Sequence, residues 1–271
     1  MKFKDILLIS DMDNTLINSR FEISNKNKNE LNRFTENGGY FTVATGKMVK
    51  ALEPYIKELP INTPVILYNG AMIYDSISQE VIWTKCLDNQ IIDIIREVYD
   101  NFSDVGIQIY HSDQIYLVKA SEEAEWHIGR EKLNPIICDI EDVPFPWIKV
   151  ILAGKNARLK QVKEYLKDKG SKFRTVFSEH QFLEILEESV SKGNALKQLQ
   201  KLLGYPGRIL RTVSVGDNLN DMELIQYADV GFAVDNAVPE LKAVADICCC
   251  HHDEDAIAQV IGWIENKKTG I

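Results

Sequence analysis

Hydrophobic and polar positions along this chain fall into blocks that read as strand, polar loop and helix, repeated. Leu7-Leu8-Ile9 is an unbroken apolar run, the pattern of a strand covered on both faces, and it ends in Ser10-Asp11-Met12-Asp13-Asn14-Thr15. Ile23-Ser24 then predicts an N-terminal cap for a helix that turns Leu31 and Phe34 inward and stops at Gly38-Gly39. A second strand over 40–44 ends in Thr45-Gly46-Lys47, before a helix with Met48, Ala51, Leu52, Tyr55, Ile56 and Leu59 on one face. A third strand over 64–68 ends in Asn69-Gly70-Ala71. Three strands thus deliver polar or small residues at one end, the edge where a parallel sheet binds ligands.

From residue 84 the rhythm changes. The pattern predicts a helix over 91–102, a hairpin over 106–118 turning at His111-Ser112-Asp113, and a helix capped by Ser121. A strand over 147–152, a helix over 156–169 and strands over 173–176 and 182–186 follow, with Pro144-Phe145-Pro146 read as a loop inside this region. The first rhythm returns at Ser191-Lys192-Gly193-Asn194, which opens a helix carrying Leu196, Leu199, Leu202 and Leu203. A strand over 212–215 runs into Gly216-Asp217-Asn218-Leu219-Asn220-Asp221 and a short helix. A strand over 230–234, a helix start at Pro239, a strand over 245–250 and an amphipathic helix to Lys267 complete the chain. The expected fold class is α/β: a Rossmann-like parallel-sheet core, 1–83 and 189–271, with an α+β domain of sandwich type, 84–188, inserted after the third core strand.

Composition adds limits. With 271 residues, 45% of them hydrophobic, the chain has ample material for a core. A formal charge of −9 argues against non-specific binding to nucleic acid or to an anionic membrane, so an anionic substrate needs a local positive site. No apolar stretch approaches the roughly 20 residues that span a bilayer, and the first residues lack a signal-peptide layout, so a cytoplasmic location is expected. Five cysteines at positions 86, 138 and 248–250 form neither an even disulfide framework nor zinc spacing. Cys248-Cys249-Cys250-His251-His252 invites a metal reading. Alternation along a strand would turn Cys249 away from its neighbours, and buried small residues are the reading adopted. His111, His127 and His180 read as structural or surface groups, and Tyr110, Trp126 and Trp147 as core of the inserted domain, with the lining of a substrate pocket as the alternative for one of them.

Four polar signals stand at strand ends or helix starts: Asp11 with Asp13, Thr45, Lys192, and Asp217 with Asn220 and Asp221. Singly, each has an ordinary reading as a turn, a helix cap or a solvated lysine. Jointly they supply what phosphoryl transfer asks for, which is positioning and electrostatic stabilisation. One carboxylate can attack phosphorus while its neighbour transfers protons. Carboxylates from Asp11 and Asp217 suit Mg2+, a hard cation with oxygen ligands. The Thr45 hydroxyl can donate to a phosphoryl oxygen, with backbone amides of the following helix assisting. Lys192 brings a compact positive charge, which Asn220 and Asp221 can orient.

Asp11-x-Asp13-x-Thr15, Thr45-Gly46, Lys192 and Gly216-Asp217-x-x-Asn220-Asp221, in this order, resemble the haloacid dehalogenase superfamily of phosphatases. The short link after the first strand, with about a hundred residues inserted after the third, resembles the Cof-type subfamily with an α/β cap. Asn69-Gly70-Ala71 and Ser191-Lys192-Gly193-Asn194 match as well. The resemblance implies a Mg2+-dependent phosphatase acting on small phosphorylated metabolites, such as sugar phosphates or nucleotide and cofactor phosphates, as a monomer or homodimer. It implies Asp11 as nucleophile and metal ligand, Asp13 as acid and base with its carbonyl on the metal, and Asp217 as a further ligand. Thr45, Gly46, Asn69, Lys192 and Asn220 are then substrate-binding, and Asp221 supports them from behind. The family commonly has Gly where Asn14 stands and Arg where Lys47 stands, and a substrate role for Lys47 is not carried over. A phosphomutase or phosphotransferase would share the carboxylate pair, and a non-catalytic phosphate-binding protein could share the fold. Product analysis separates the first, and the presence of Asp13 and Lys192 counts against the second.

Overall fold

Strands form where the apolar runs lie, and the computed structural model describes them within residues 2–169, 172–204 and 211–268. In chain order the first strands are β1 (Ile6–Ser10), β2 (Tyr40–Val43), β3 (Val65–Leu67), β4 (Met72–Asp75) and β5 (Glu80–Thr84). Next come β6 (Gly106–His111), β7 (Gln114–Lys119), β8 (Ile136–Ile137), β9 (Lys149–Ala153), β10 (Phe173–Glu179) and β11 (Phe182–Glu187). The last are β12 (Arg211–Gly216), β13 (Val230–Ala233) and β14 (Ile247–Cys248). The helices are α1 (Asn25–Glu36), α2 (Val49–Ile56), α3 (Ile91–Asn101), α4 (Glu122–Arg130) and α5 (Asn156–Lys167). They continue with α6 (Lys192–Leu203), α7 (Met222–Tyr227), α8 (Pro239–Lys242) and α9 (Ala256–Lys268). Among the described residues no helix is long and apolar enough to cross a membrane.

The chain divides into two compact units. One comprises Met1–Lys47, Leu52–Trp83 and Ser191–Ile271; the other comprises Met48–Ala51 and Thr84–Val190. In the first, β14, β13, β12, β1 and β2 form a parallel sheet in that order. β1 lies at its interior, buried along its whole length, because Leu7 and Ile9 pack against Ala195, Leu196 and Leu199 of α6. The register sets Ser10 beside Val215 on one side and Val43 on the other, so the three strands end level. Their ends are Asp11, Gly216-Asp217 and Ala44-Thr45. In the second unit, β10, β11, β9, β6, β7 and β8 form a largely antiparallel sheet. α3 and α5 bury Ile95, Val98, Leu159 and Val162 with Trp147, Val150 and Leu152 in its core.

Several local expectations are corrected. The third core strand joins β2 through a single bridge, Ala44 to Ile66, and turns back through β4 and β5 as an antiparallel meander where the sequence reading placed no element. β5 carries a short apolar run, Val81-Ile82-Trp83, yet is mostly exposed. Trp126 is 48% exposed and not core, because α4 turns Ala124 and His127 inward while Trp126 carries the Arg130 guanidinium 4.5 Å from its ring. The last core strand shrinks to Ile247–Cys248 at the sheet edge, leaving Cys248 exposed, Cys250 half-buried and Cys249 alone buried.

Candidate active site

The ladder of β1 continues one residue beyond the strand, with the Asp11 amide donating to the Val215 carbonyl at 2.9 Å. The chain then folds over the buried Met12, whose carbonyl accepts the amides of Thr15, Leu16 and Ile17. Asn14 takes the left-handed conformation, φ 56°, that this turn demands and that Asn tolerates better than most residues. The turn separates the two carboxylates. Asp11 faces Lys192, whereas Asp13 extends to Lys47, with Nζ 3.0 Å from its Oδ2.

Lys192 is the first residue of α6, behind the Ser191 cap whose hydroxyl accepts the Asn194 amide at 3.0 Å. It is fully buried, and its ammonium donates to Oδ1 of Asp11 and Oδ1 of Asp221, each at 2.6 Å. Glycines allow this placement. A Cβ on Gly193 would lie 2.5 Å from the Glu223 backbone, and Gly70, at φ 103°, lets its Cα approach the Ser191 carbonyl. Asp221 accepts the amides of Asp217 and Asn218 on Oδ2, at 3.0 and 3.3 Å, so both its oxygens serve to hold this loop and Lys192.

Thr45 is buried at the end of β2 and accepts the Lys47 amide on Oγ1 at 3.2 Å. Its carbonyl accepts the Asn69 amide at 2.9 Å, which ties the two loops together. Asn220 Nδ2 donates to Asn69 Oδ1 at 3.1 Å, leaving Asn69 Nδ2 and Asn220 Oδ1 buried without partners. Asn69 Nδ2 lies 3.1 Å from where a Cβ on Gly46 would stand, so Gly46 keeps that donor uncovered. The nine residues singled out in the sequence thus lie in one neighbourhood of the first unit. Lys47 as the partner of Asp13 was not foreseen, and its only signal was a charge two positions after Thr45.

A family model for haloacid dehalogenase-like hydrolases matches residues 8–261. The chain belongs to this family. Phosphatase YwpJ of Bacillus subtilis is similar at 28% identity, over 94% of this chain and 98% of that one. YwtE of the same organism, a 5-amino-6-(5-phospho-D-ribitylamino)uracil phosphatase, is 26% identical over 93% and 95%. A crystal structure of a haloacid dehalogenase-like hydrolase from Bacteroides thetaiotaomicron superposes with a TM-score of 0.81 at 27% identity, covering 97% of this chain and 99% of that one.

In this haloacid dehalogenase-like hydrolase one carboxylate oxygen from each of Asp11, Asp217 and Asp221 lies within 4.8 Å of the other two. Burial pushes the Asp11 carboxyl up to about 7, against the opposing pull of Lys192, and Asp221 and Asp13 raise it further. Burial, with Asp11 and Asp221, also raises Asp217 well above the ordinary carboxylate range. For Lys192 burial works against the charge, but Asp11 and Asp221 outweigh it and the ammonium holds its proton more tightly than usual. Three carboxylates and one ammonium, −3 + 1, leave two negative charges uncompensated when all are ionised. A hard divalent cation matches that deficit and that donor set.

Proposed function

We propose that this hydrolase is a Mg2+-dependent phosphatase of small phosphomonoesters that works through an aspartyl-phosphate on Asp11. The carrying observation is the buried Lys192 bridge between Asp11 and Asp221, beside Asp217, at the end of the parallel sheet. Asp11, Asp217 and the Asp13 backbone carbonyl would hold Mg2+, which supplies charge neutralisation for a phosphoryl group.

The chain's own groups then divide the work. Lys192 occupies Oδ1 of Asp11, so Oδ2 is the oxygen that attacks phosphorus. As the bond from phosphorus to the leaving oxygen breaks, that oxygen keeps the electron pair and takes a proton from Asp13. In the second half Asp13 accepts a proton from water, which attacks phosphorus and releases Asp11 and phosphate. Thr45 Oγ1 accepts the Lys47 amide, so its own proton is available to a phosphoryl oxygen. Asn69 and Asn220 offer one unpartnered donor and one acceptor, whichever way their amides are assigned. The names of YwpJ and YwtE support a phosphatase, and that of YwtE a phosphorylated metabolite of polyol type.

Hydrolysis of p-nitrophenyl phosphate tests this reading. Activity is expected with Mg2+, to be lost with EDTA, and to fall by at least about a thousandfold in Asp11→Asn. Activity that survives both treatments removes the mechanism. A screen of phosphorylated metabolites then identifies the leaving group.

A further inference from the structure

The two carboxylates of the β1 turn, one residue apart, are held by two different lysines. Asp11 belongs to Lys192, and Asp13 belongs to Lys47. Lys47 is firmly placed. Its amide donates to Thr45 Oγ1 and its carbonyl accepts the amide of the buried Tyr68, both at 3.2 Å. Its side chain is 6% exposed, whereas the Asp13 side chain is 40% exposed, with little packing to choose among its rotamers. A loosely packed carboxylate beside a buried ammonium and a cation site is drawn toward them. Asp13 is near enough to Asp11 and Asp217 to raise the proton affinity of both. Lys47 supplies the competing attraction.

We infer that Lys47 is a positioning residue: its ammonium donates to Asp13 Oδ2 whether the carboxyl is ionised or protonated, holding it away from Lys192 with Oδ1 left to carry the proton for the leaving oxygen, and Lys47 does not itself clamp substrate. The inference rests on the phosphatase reading above. Asp13 engages one donor of the Lys47 ammonium, and lysine lacks the bidentate fork that would grip a phosphoryl group. In the transfer step the leaving oxygen gains the electron pair of the broken bond and the Asp13 proton, and Asp13 ends as a carboxylate facing the Lys47 ammonium.

The test compares kcat/KM on two esters, since this ratio reports steps only as far as cleavage of the ester bond. Nitrophenolate leaves without a proton, whereas the oxygen of a primary-alcohol phosphate needs one. In Lys47→Met the ratio of the alcohol phosphate to the nitrophenyl ester is expected to fall about 10- to 100-fold, as for a misplaced general acid. Lys47→Gln serves the same purpose if the first variant fails to fold. Lys47→Arg keeps the charge and should return the ratio to within about threefold of wild type. In an Asp13→Asn background, Lys47→Met should change nothing further. Parallel losses on both esters, an unchanged ratio, or a ratio that Lys47→Arg fails to restore overturns the inference. Failure of the wild-type chain to hydrolyse either ester overturns the phosphatase reading instead.

Discussion

Lys192 shows most directly how one buried side chain governs its surroundings. Truncating it leaves Asp11 and Asp221, both buried, without their cation, a change that costs about 3–5 kcal/mol for buried ion pairs. Lys192→Ala should therefore shift the denaturant midpoint downward, with Mg2+ recovering part of the loss, as read by urea titration with and without the ion. Cys249 makes a second prediction at this scale. Burial first, then the neighbouring cysteines, raises its thiol to about 12 from an ordinary 9.0, so at pH 8 only about one molecule in ten thousand carries the thiolate. Rising pH favours the reactive form, yet pH 8 lies far below the shifted value. A short iodoacetamide pulse read by mass spectrometry should modify the exposed Cys248 and spare Cys249 until the chain is unfolded.

At the scale of elements, the contact between α6 and α7 decides where Lys192 points. Gly193 gives α7 a place to lie directly against α6, since any Cβ there would strike the Glu223 backbone. Gly193→Ala should force the helices apart, costing about 1–3 kcal/mol as overpacking does, and should lower kcat together with the melting temperature. The helix starts and the strand ends were legible from sequence because their signals are local. Ser24 and Ser191 accept the amides three residues on, as the cap pattern demands, and β1 is buried along its length as its apolar run implies. β4 and β5 were not legible, because their apolar runs, Met72-Ile73 and Val81-Ile82-Trp83, are short and end in no polar motif that marks a strand end. Trp126 was misplaced for a related reason: hydrophobicity predicts burial, but the phase of α4 put Ala124 and His127 inside.

For the whole molecule, 40 carboxylates stand against 31 basic groups, and at the sheet end Asp11, Asp217 and Asp221 likewise outnumber the one lysine they share. Binding of Mg2+ to the folded state alone should raise stability by about 2.7 kcal/mol at a hundred times its Kd. Thermal melts in EDTA and in millimolar Mg2+ should differ by several degrees in wild type, and the difference should shrink in Asp217→Asn. An equal shift in both proteins would place the ion elsewhere.

The sequence by itself determined the helix starts, the buried strands that carry the site and the order of the chemistry along them, because caps, apolar runs and strand-end polar residues express short-range rules within a few positions. It also determined that Asp11, Thr45 and Asp217 would end neighbouring strands, since parallel strands of this pattern terminate at one edge. Only the tertiary structure decided which lysine each carboxylate takes. Asp11 and Asp13 are almost adjacent in the chain, yet a turn over Met12 sends one to Lys192 and the other to Lys47. That choice depends on how α6 and the loop after β2 pack around β1, which no local pattern encodes.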